Sequence, residues 1–135
     1  SSNGSFLVVS KGEEVMSALV EFARTQNLQS AWVQGIGGAA KTTIGFRDPA
    51  AKEYIWHTYD QPLEIVSLQG NVAWVDGEPF WHVHGTFSGA DYEAIGGHVK
   101  ELIVGLTCEL FITPTPFKLI RSHDEDTGLK LIQGL

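Results

Sequence analysis

The sequence has little of what several classes of protein require. A single cysteine, Cys108, excludes an internal disulfide framework and fits a reducing cytosol. Lysine and arginine total nine, are scattered along the chain, and are outnumbered by 16 acidic side chains. The resulting net charge of −7 disfavours direct binding to duplex DNA by this domain alone. No apolar run approaches the roughly 18 to 20 residues that cross a bilayer, so no membrane partner is expected.

The 135 residues suit one domain, which we place at residues 5–135. We interpret residues 1–4 as a tag remnant or a disordered end. No basic segment followed by a long apolar one opens the sequence, so no signal peptide is predicted and a cytoplasmic location is expected. Cys108 lies in an apolar run without a basic neighbour, which is typical of a buried structural thiol.

One helix is predicted, in GEEVMSALVEFARTQ, residues 12–26. Its apolar side chains recur at helical spacing, with Val15 and Leu19 on one face. Ser10 is the expected N-cap, and Asn27 is the expected stop.

Most of the remaining chain has the alternating pattern of strands. We predict strands in FLVVS, SAWVQGI, AKTTIGFRD, EYIWHTYD, LEIVSLQGNVAWV, WHVHGTF and HVKELIVGLTCELFITPT, then two short closing strands. Gly35–Gly38 is interpreted as a turn, Asp76-Gly77 as a type I′ hairpin, and residues 91–94 as one helical turn. A break is expected near Gly105. The order predicts an α+β fold, a largely antiparallel sheet with one main packed helix.

The segment FWHVHGTF, residues 80–87, carries the main chemical pattern. On a strand His82 and His84 share one face, with Cα atoms about 6.6 Å apart, so their imidazoles can converge on one ion. His98, in IGGHVK, is the best third ligand. Zinc is the first choice because imidazole suits it, and another divalent metal is the alternative. A solvated sheet face or a subunit contact would equally explain the pair.

Acidic residues could complete such a site. Glu64 and Glu93 are candidates for a fourth ligand or a general base, with Asp91 and His57 as further candidates. Three histidines with an open position can lower the pKa of bound water to about 7. A zinc-dependent enzyme acting on a small substrate is therefore one hypothesis. The other is an oligomeric interaction module, in which a metallated histidine site would be closed or dispensable for a reaction.

Two further patterns have a simpler interpretation. QGIGGAAKTTIG lacks the glycine spacing of a dinucleotide fingerprint, and β-branched residues follow where a helix should begin, so no nucleotide site is assigned. Its glycines suit a tight turn or a close backbone contact. The four tryptophans favour core and interface packing over a ligand-stacking surface.

Three motifs together resemble a known family. They are E-x-x-S-L-x-G-N from Glu64, D-G-x-P-x-x-H-x-H from Asp76, and G-G-H ending at His98. The combination resembles the PPC (plants and prokaryotes conserved) domain in its prokaryotic stand-alone form. The resemblance implies an α+β fold, a homotrimer, and a metal-binding role for His82, His84 and His98. The arginine often found ahead of the first strand in this family is absent.

The resemblance also implies a family-level link to DNA-associated or transcriptional regulation. Plant members join this domain to AT-hooks, and this sequence contains no Arg-Gly-Arg-Pro segment. Prokaryotic members are often described as predicted DNA-binding proteins. The partners expected are other copies of the chain and a small molecule or a protein, with no specific activity assigned.

Overall fold

A computed structural model describes residues 3–133 of the chain. The elements are β1 (Ser5–Ser10), α1 (Val15–Thr25), β2 (Ala31–Asp48), β3 (Glu53–Tyr59), β4 (Leu63–Val75), β5 (Glu78–Ser88), β6 (Ala94–Pro114), β7 (Arg121–His123) and β8 (Lys130–Ile132). Every strand pairing among them is antiparallel. The fold is therefore the predicted α+β arrangement of a largely antiparallel sheet with one helix. Residues 1–4 were interpreted as a tag remnant or a disordered end, and of these Ser1 and Ser2 lie outside the described residues.

The long strands β2 and β6 organise a six-stranded sheet in the order β1-β6-β5-β4-β2-β3. One edge of β2 pairs first with β4 and then with β3, while its other edge pairs with β6 along most of its length. Strand β5 pairs with β4 and also with the start of β6. The sheet therefore curls around until β2, β6, β5 and β4 enclose an interior.

Apolar side chains fill this interior. Leu68, Phe87 and Leu102, on three different strands, are fully buried. Helix α1 packs against β5 and β6 and adds Val15 and Leu19, also fully buried. Alternate side chains of the strands point out of the core, and His82 and His84 occupy two of these outward positions on β5.

The helix begins later than predicted. Its N-cap is Glu14, whose carboxylate accepts hydrogen bonds from the backbone N–H groups of Met16 at 2.7 Å and Ser17 at 2.8 Å. The assignment of the N-cap to Ser10 was wrong, because Gly12 turns the chain with φ of +90° before the helix starts. The predicted stop is confirmed: the helix ends at Thr25, and Asn27 has φ of +48°.

The glycine-rich turn predicted at Gly35–Gly38 was also wrong, because these residues lie inside the continuous strand β2. A Cβ atom on Gly37 would lie only 2.1 Å from the carbonyl oxygen of Thr107 on β6. The glycines therefore serve close contact between two strand backbones, the other role considered for them. Strand β6 likewise continues through Gly105, where the break was expected, although its register with β2 shifts nearby.

The helical turn predicted over residues 91–94 does not form. A turn closed by a hydrogen bond from the Tyr92 N–H to the Gly89 carbonyl at 3.0 Å takes its place, and β6 starts at Ala94. Tyr92 has φ of +63°, which belongs to a tight turn and not to a right-handed helix.

The Asp76-Gly77 hairpin is confirmed, with φ of +52° and +79° as a type I′ turn requires. This turn sets the register of β4 against β5, so that Asn71 lies opposite His82 and Gln69 opposite His84. Directly opposed residues share a face of the sheet. The hairpin therefore places two amides beside two histidines.

Candidate metal centre and adjoining pocket

Alternation along β5 sends Trp81 and Val83 into the core and leaves His82 and His84 on the outer face. His98 lies directly opposite His84 in the ladder between β5 and β6. The three rings offer ligand atoms that all lie within 4.8 Å of one another, and 3.1 Å separates Nε2 of His82 from Nε2 of His84. The structure thus brings together the three histidines that the sequence singled out.

Aromatic side chains from β3 cover His98. The ring centroid of Tyr54 lies 4.7 Å from that of His98, and the centroid of Trp56 lies 6.0 Å from it. Gly45, which pairs with both Trp56 and His98, makes room for this arrangement, since a Cβ atom there would lie 2.6 Å from the indole ring. Nζ of Lys100 lies over that indole, 4.8 Å from its ring centroid.

This environment disfavours a positive charge on His98 and His82. Burial, with smaller effects of His82 and His84, lowers the pKa of His98 to about 4. Burial also lowers the pKa of His82, helped by His84 and by the guanidinium of Arg121. Since a metal ion binds neutral imidazole, such rings need not lose a proton at neutral pH before they bind one.

One buried atom tests whether the residues fit a metal ion. Nδ1 of His98 is buried and has no hydrogen-bond partner among residues 3–133. An unsatisfied buried polar group costs about 1–3 kcal/mol, and a cation bound through this nitrogen would satisfy it. A set of three imidazoles suits zinc among the common divalent metals. The residues therefore fit a zinc ion.

The candidate carboxylates lie elsewhere in the chain. Glu64, on β4 opposite Ser88, lines a different pocket. Glu93 lies in the turn before β6, where its N–H donates to the Asp91 carboxylate at 3.0 Å. His57 packs on the Tyr59 ring. In the described part of the chain, no carboxylate belongs to the group of converging ligand atoms.

A pocket of about 480 Å³ adjoins the histidines, and several of its side chains were not among the predicted site residues. Trp32, Gln69, Asn71 and Thr86 line it together with His82 and His84. The two amides could have been predicted from the register of the hairpin. A two-residue turn at Asp76-Gly77 pairs residue 71 with residue 82, and residue 69 with residue 84.

Arg121, on β7, contacts the side chain of Asn71, which lines this pocket. Its Nη2 donates to Oδ1 of Asn71 at 2.7 Å, and its guanidinium lies over the Phe80 ring at 5.3 Å. Burial lowers its pKa, and its Nε is buried without a partner among residues 3–133. No sequence pattern linked this residue to the histidines, because Arg121 follows His84 by 37 positions in the chain and no motif joins them.

Two of the four tryptophans pack within the fold, and the other two lie at the candidate site. Trp74 and Trp81 are structural, since their indole N–H groups donate to backbone carbonyls of Leu28 at 2.7 Å and Leu19 at 2.9 Å. Trp32 lines the pocket, and Trp56 covers His98.

Cys108 is a buried free thiol, as predicted. Burial, together with the charge of Glu109, raises its pKa to about 11. The thiol is therefore protonated at neutral pH and unsuited to act as a nucleophile.

No helix in the described part of the chain is long and apolar enough to cross a bilayer.

Comparison with known proteins places this arrangement in a family. A protein from Archaeoglobus fulgidus described as metal-containing is 34% identical over 98% of this chain and 94% of its own, with a TM-score of 0.91. One from Ralstonia eutropha JMP134, described as a candidate DNA-binding protein, is 33% identical over 96% and 90%, with a TM-score of 0.89. A plant- and prokaryote-conserved (PPC) protein from Pyrococcus horikoshii is 30% identical over 98% and 92%, with a TM-score of 0.91.

No curated protein matches the chain. The family profile of the Plants and Prokaryotes Conserved (PCC) domain matches residues 2–116, which span the sheet, the helix and all three histidines. The chain therefore belongs to the Plants and Prokaryotes Conserved domain family, as its sequence motifs predicted.

Proposed function

We propose that this chain is a homotrimeric PCC-domain protein that binds a divalent metal ion, zinc first, through His82, His84 and His98. The observation that carries the proposal is the convergence of three ring nitrogens within 4.8 Å. The unpartnered Nδ1 of His98 supports it, and so does the description of the Archaeoglobus relative as metal-containing. Residues 5–135 act as one domain in the cytoplasm.

The link to DNA-associated or transcriptional regulation is drawn from the family. Relatives from Ralstonia and from Bacteroides are described as candidate DNA-binding proteins. With a net charge of −7, this chain is poorly suited to contact phosphates itself. In this proposal a protein partner makes the contact with DNA.

A second candidate function is that of a zinc-dependent enzyme acting on a small substrate, and the pocket of about 480 Å³ beside the histidines favours it. A bound zinc ion would supply a Lewis acid and an acidified water there. Trp32 and Thr86 would contact the substrate, and the covered ring of His98 would hold the ion in place. Glu64 or Glu93 could serve as general base or fourth ligand only from another subunit, since neither lies with the histidines of its own chain.

The metal content of the purified protein tests the proposal. After reconstitution with zinc and removal of the excess, elemental analysis should find about one zinc per chain. His82→Ala should lose it, because two imidazoles hold zinc far more weakly than three. His57→Ala is the matched control, since His57 packs on Tyr59 away from the cluster, and it should retain the metal. Wild-type protein that stays free of zinc, or a His82→Ala variant that keeps it, would refute the proposal.

A further inference from the structure

The charged side chain beside the pocket is positive. Nη2 of Arg121 donates at 2.7 Å to Asn71, one of the residues that line the pocket. No carboxylate lies among the described residues that line it. A chain with a net charge of −7 therefore has a locally positive site here, which a divalent ion would make more positive.

The amides of the pocket have defined orientations. Oδ1 of Asn71 accepts from Arg121 Nη2 at 2.7 Å, so Nδ2 of this pocket-lining side chain remains available as a donor. Nε2 of Gln69 donates to the Ser67 hydroxyl at 3.2 Å, so Oε1 of Gln69 remains an acceptor. The pocket wall thus offers a donor opposite His82 and an acceptor opposite His84.

We infer that this pocket binds a small organic carboxylate that carries a neighbouring hydroxyl group, an inference that rests on the proposed metal site. The carboxylate complements the positive field and the Asn71 donor, and the hydroxyl donates to Oε1 of Gln69. Such a molecule also has two adjacent oxygens for a metal ion whose three protein ligands leave positions open. The pocket volume lies within the range of small-molecule sites, roughly 300–1,000 Å³.

The positive charge comes from a half-buried side chain with several partners, which distinguishes it from a freely exposed surface charge. Arg121 is held by Asn71, by the Lys130 carbonyl at 2.9 Å and by the Phe80 ring. A guanidinium that is partly removed from water acts more strongly on a nearby anion than an exposed lysine does. Arg121 is thus a positioning residue: it orients Asn71 and supplies charge.

Isothermal titration of the zinc-loaded protein with lactate, propionate and lactamide tests the inference. Propionate lacks the hydroxyl and lactamide lacks the charge, while both retain the size of lactate. Lactate should bind more tightly than either, by roughly tenfold or more for loss of the charge. Equal affinities for lactate and lactamide would overturn the inference, and so would no detectable binding of lactate or of the larger hydroxycarboxylate malate.

Two variants separate recognition from folding. Asn71→Asp replaces the donor with a carboxylate of the same shape, which can still pair with Arg121, and it should abolish the preference for lactate over lactamide. Arg24→Gln is the control, because Arg24 pairs with Glu78, away from the pocket lining, and it should keep the preference. An Asn71→Asp variant with unchanged lactate affinity would contradict the inference.

The zinc content of the titrated sample distinguishes the two proposals. Protein with about one zinc per chain and no preference for lactate refutes the inference alone. Protein that takes up no zinc refutes the proposed metal site, whatever it binds.

Discussion

At the scale of single residues, His98 shows how the fold prepares a ligand. Its ring is covered by Tyr54 and Trp56 and lies beside two other imidazoles, so a proton on it is disfavoured and its pKa falls to about 4. The same burial leaves Nδ1 without a hydrogen-bond partner among the described residues. The ring is thus neutral, and one of its nitrogens lacks a partner. A neutral imidazole with an unpartnered nitrogen is suited to bind a metal ion.

We predict that the metal-free protein loses stability as the pH falls from about 6.5 to about 4. In this range the unfolded chain takes up a proton on His98 that the folded ring resists, so stability is retained above the unfolded pKa and lost toward the folded one. Because the ring is only half-buried, we expect a loss of about 1–2 kcal/mol from this residue.

Urea unfolding at pH 7 and pH 4.5 measures this loss. His98→Gln should be less sensitive to pH than the wild type, whereas His57→Gln, at an exposed position outside the cluster, should behave like the wild type. An identical pH dependence in His98→Gln and the wild type would contradict the prediction.

At the scale of elements, Glu14 joins the helix to the sheet. Its carboxylate caps α1 through Met16 and Ser17 and also accepts from the N–H of Leu102 on β6 at 3.1 Å. A single side chain thus satisfies donors of two elements, which anchors the start of the helix against the strand that carries His98.

We predict that Glu14→Ala lowers the free energy of unfolding by about 1–2 kcal/mol, the usual cost of losing an N-cap. Glu14→Gln keeps one acceptor oxygen, so its free energy of unfolding should lie between those of the wild type and Glu14→Ala. Urea denaturation measures both, with the exposed Glu21→Ala on the same helix as a control expected to change stability by less than about 0.5 kcal/mol. A Glu14→Ala variant as stable as this control would show that the cap is dispensable.

Elements governed by local chemistry could be predicted from the sequence. The hairpin at Asp76-Gly77, the helix and the His82–His84 pair all follow from residues close together in the chain. The turn predicted at the glycines of β2 was wrong because their role depends on a distant partner, the backbone of β6 at Thr107. The contribution of Arg121 is likewise invisible locally, since β7 reaches Asn71 only in the folded chain.

At the scale of the whole molecule, the outer face of the sheet is unusually apolar. Phe6 is 74% exposed, and it shares a groove with Ile36, Val66 and Phe111 from three other strands. Leu106 is 73% exposed as well. Exposed apolar side chains gathered in this way are typical of surfaces that meet another protein, and the proposed homotrimer would cover them.

We predict that sedimentation equilibrium gives a mass of about three chains, and that Phe6→Asp shifts it toward one, because a buried unpaired charge opposes association. Phe117→Asp, at an exposed position outside this groove, is the matched control and should sediment like the wild type. A monomeric wild type, or a Phe6→Asp variant of unchanged mass, would contradict the trimer.

The curl of the sheet has a consequence for the order of events in folding. His98 is held between Gly45 on one side and His84 on the other, so its neighbours come from chain segments that meet only when the ring of strands closes. Pairings between such distant segments form late and slowly, because the entropy of closing long loops is lost before the contacts form. Capture of an ion by all three imidazoles would therefore be a kinetic marker of completed closure, absent from any earlier intermediate.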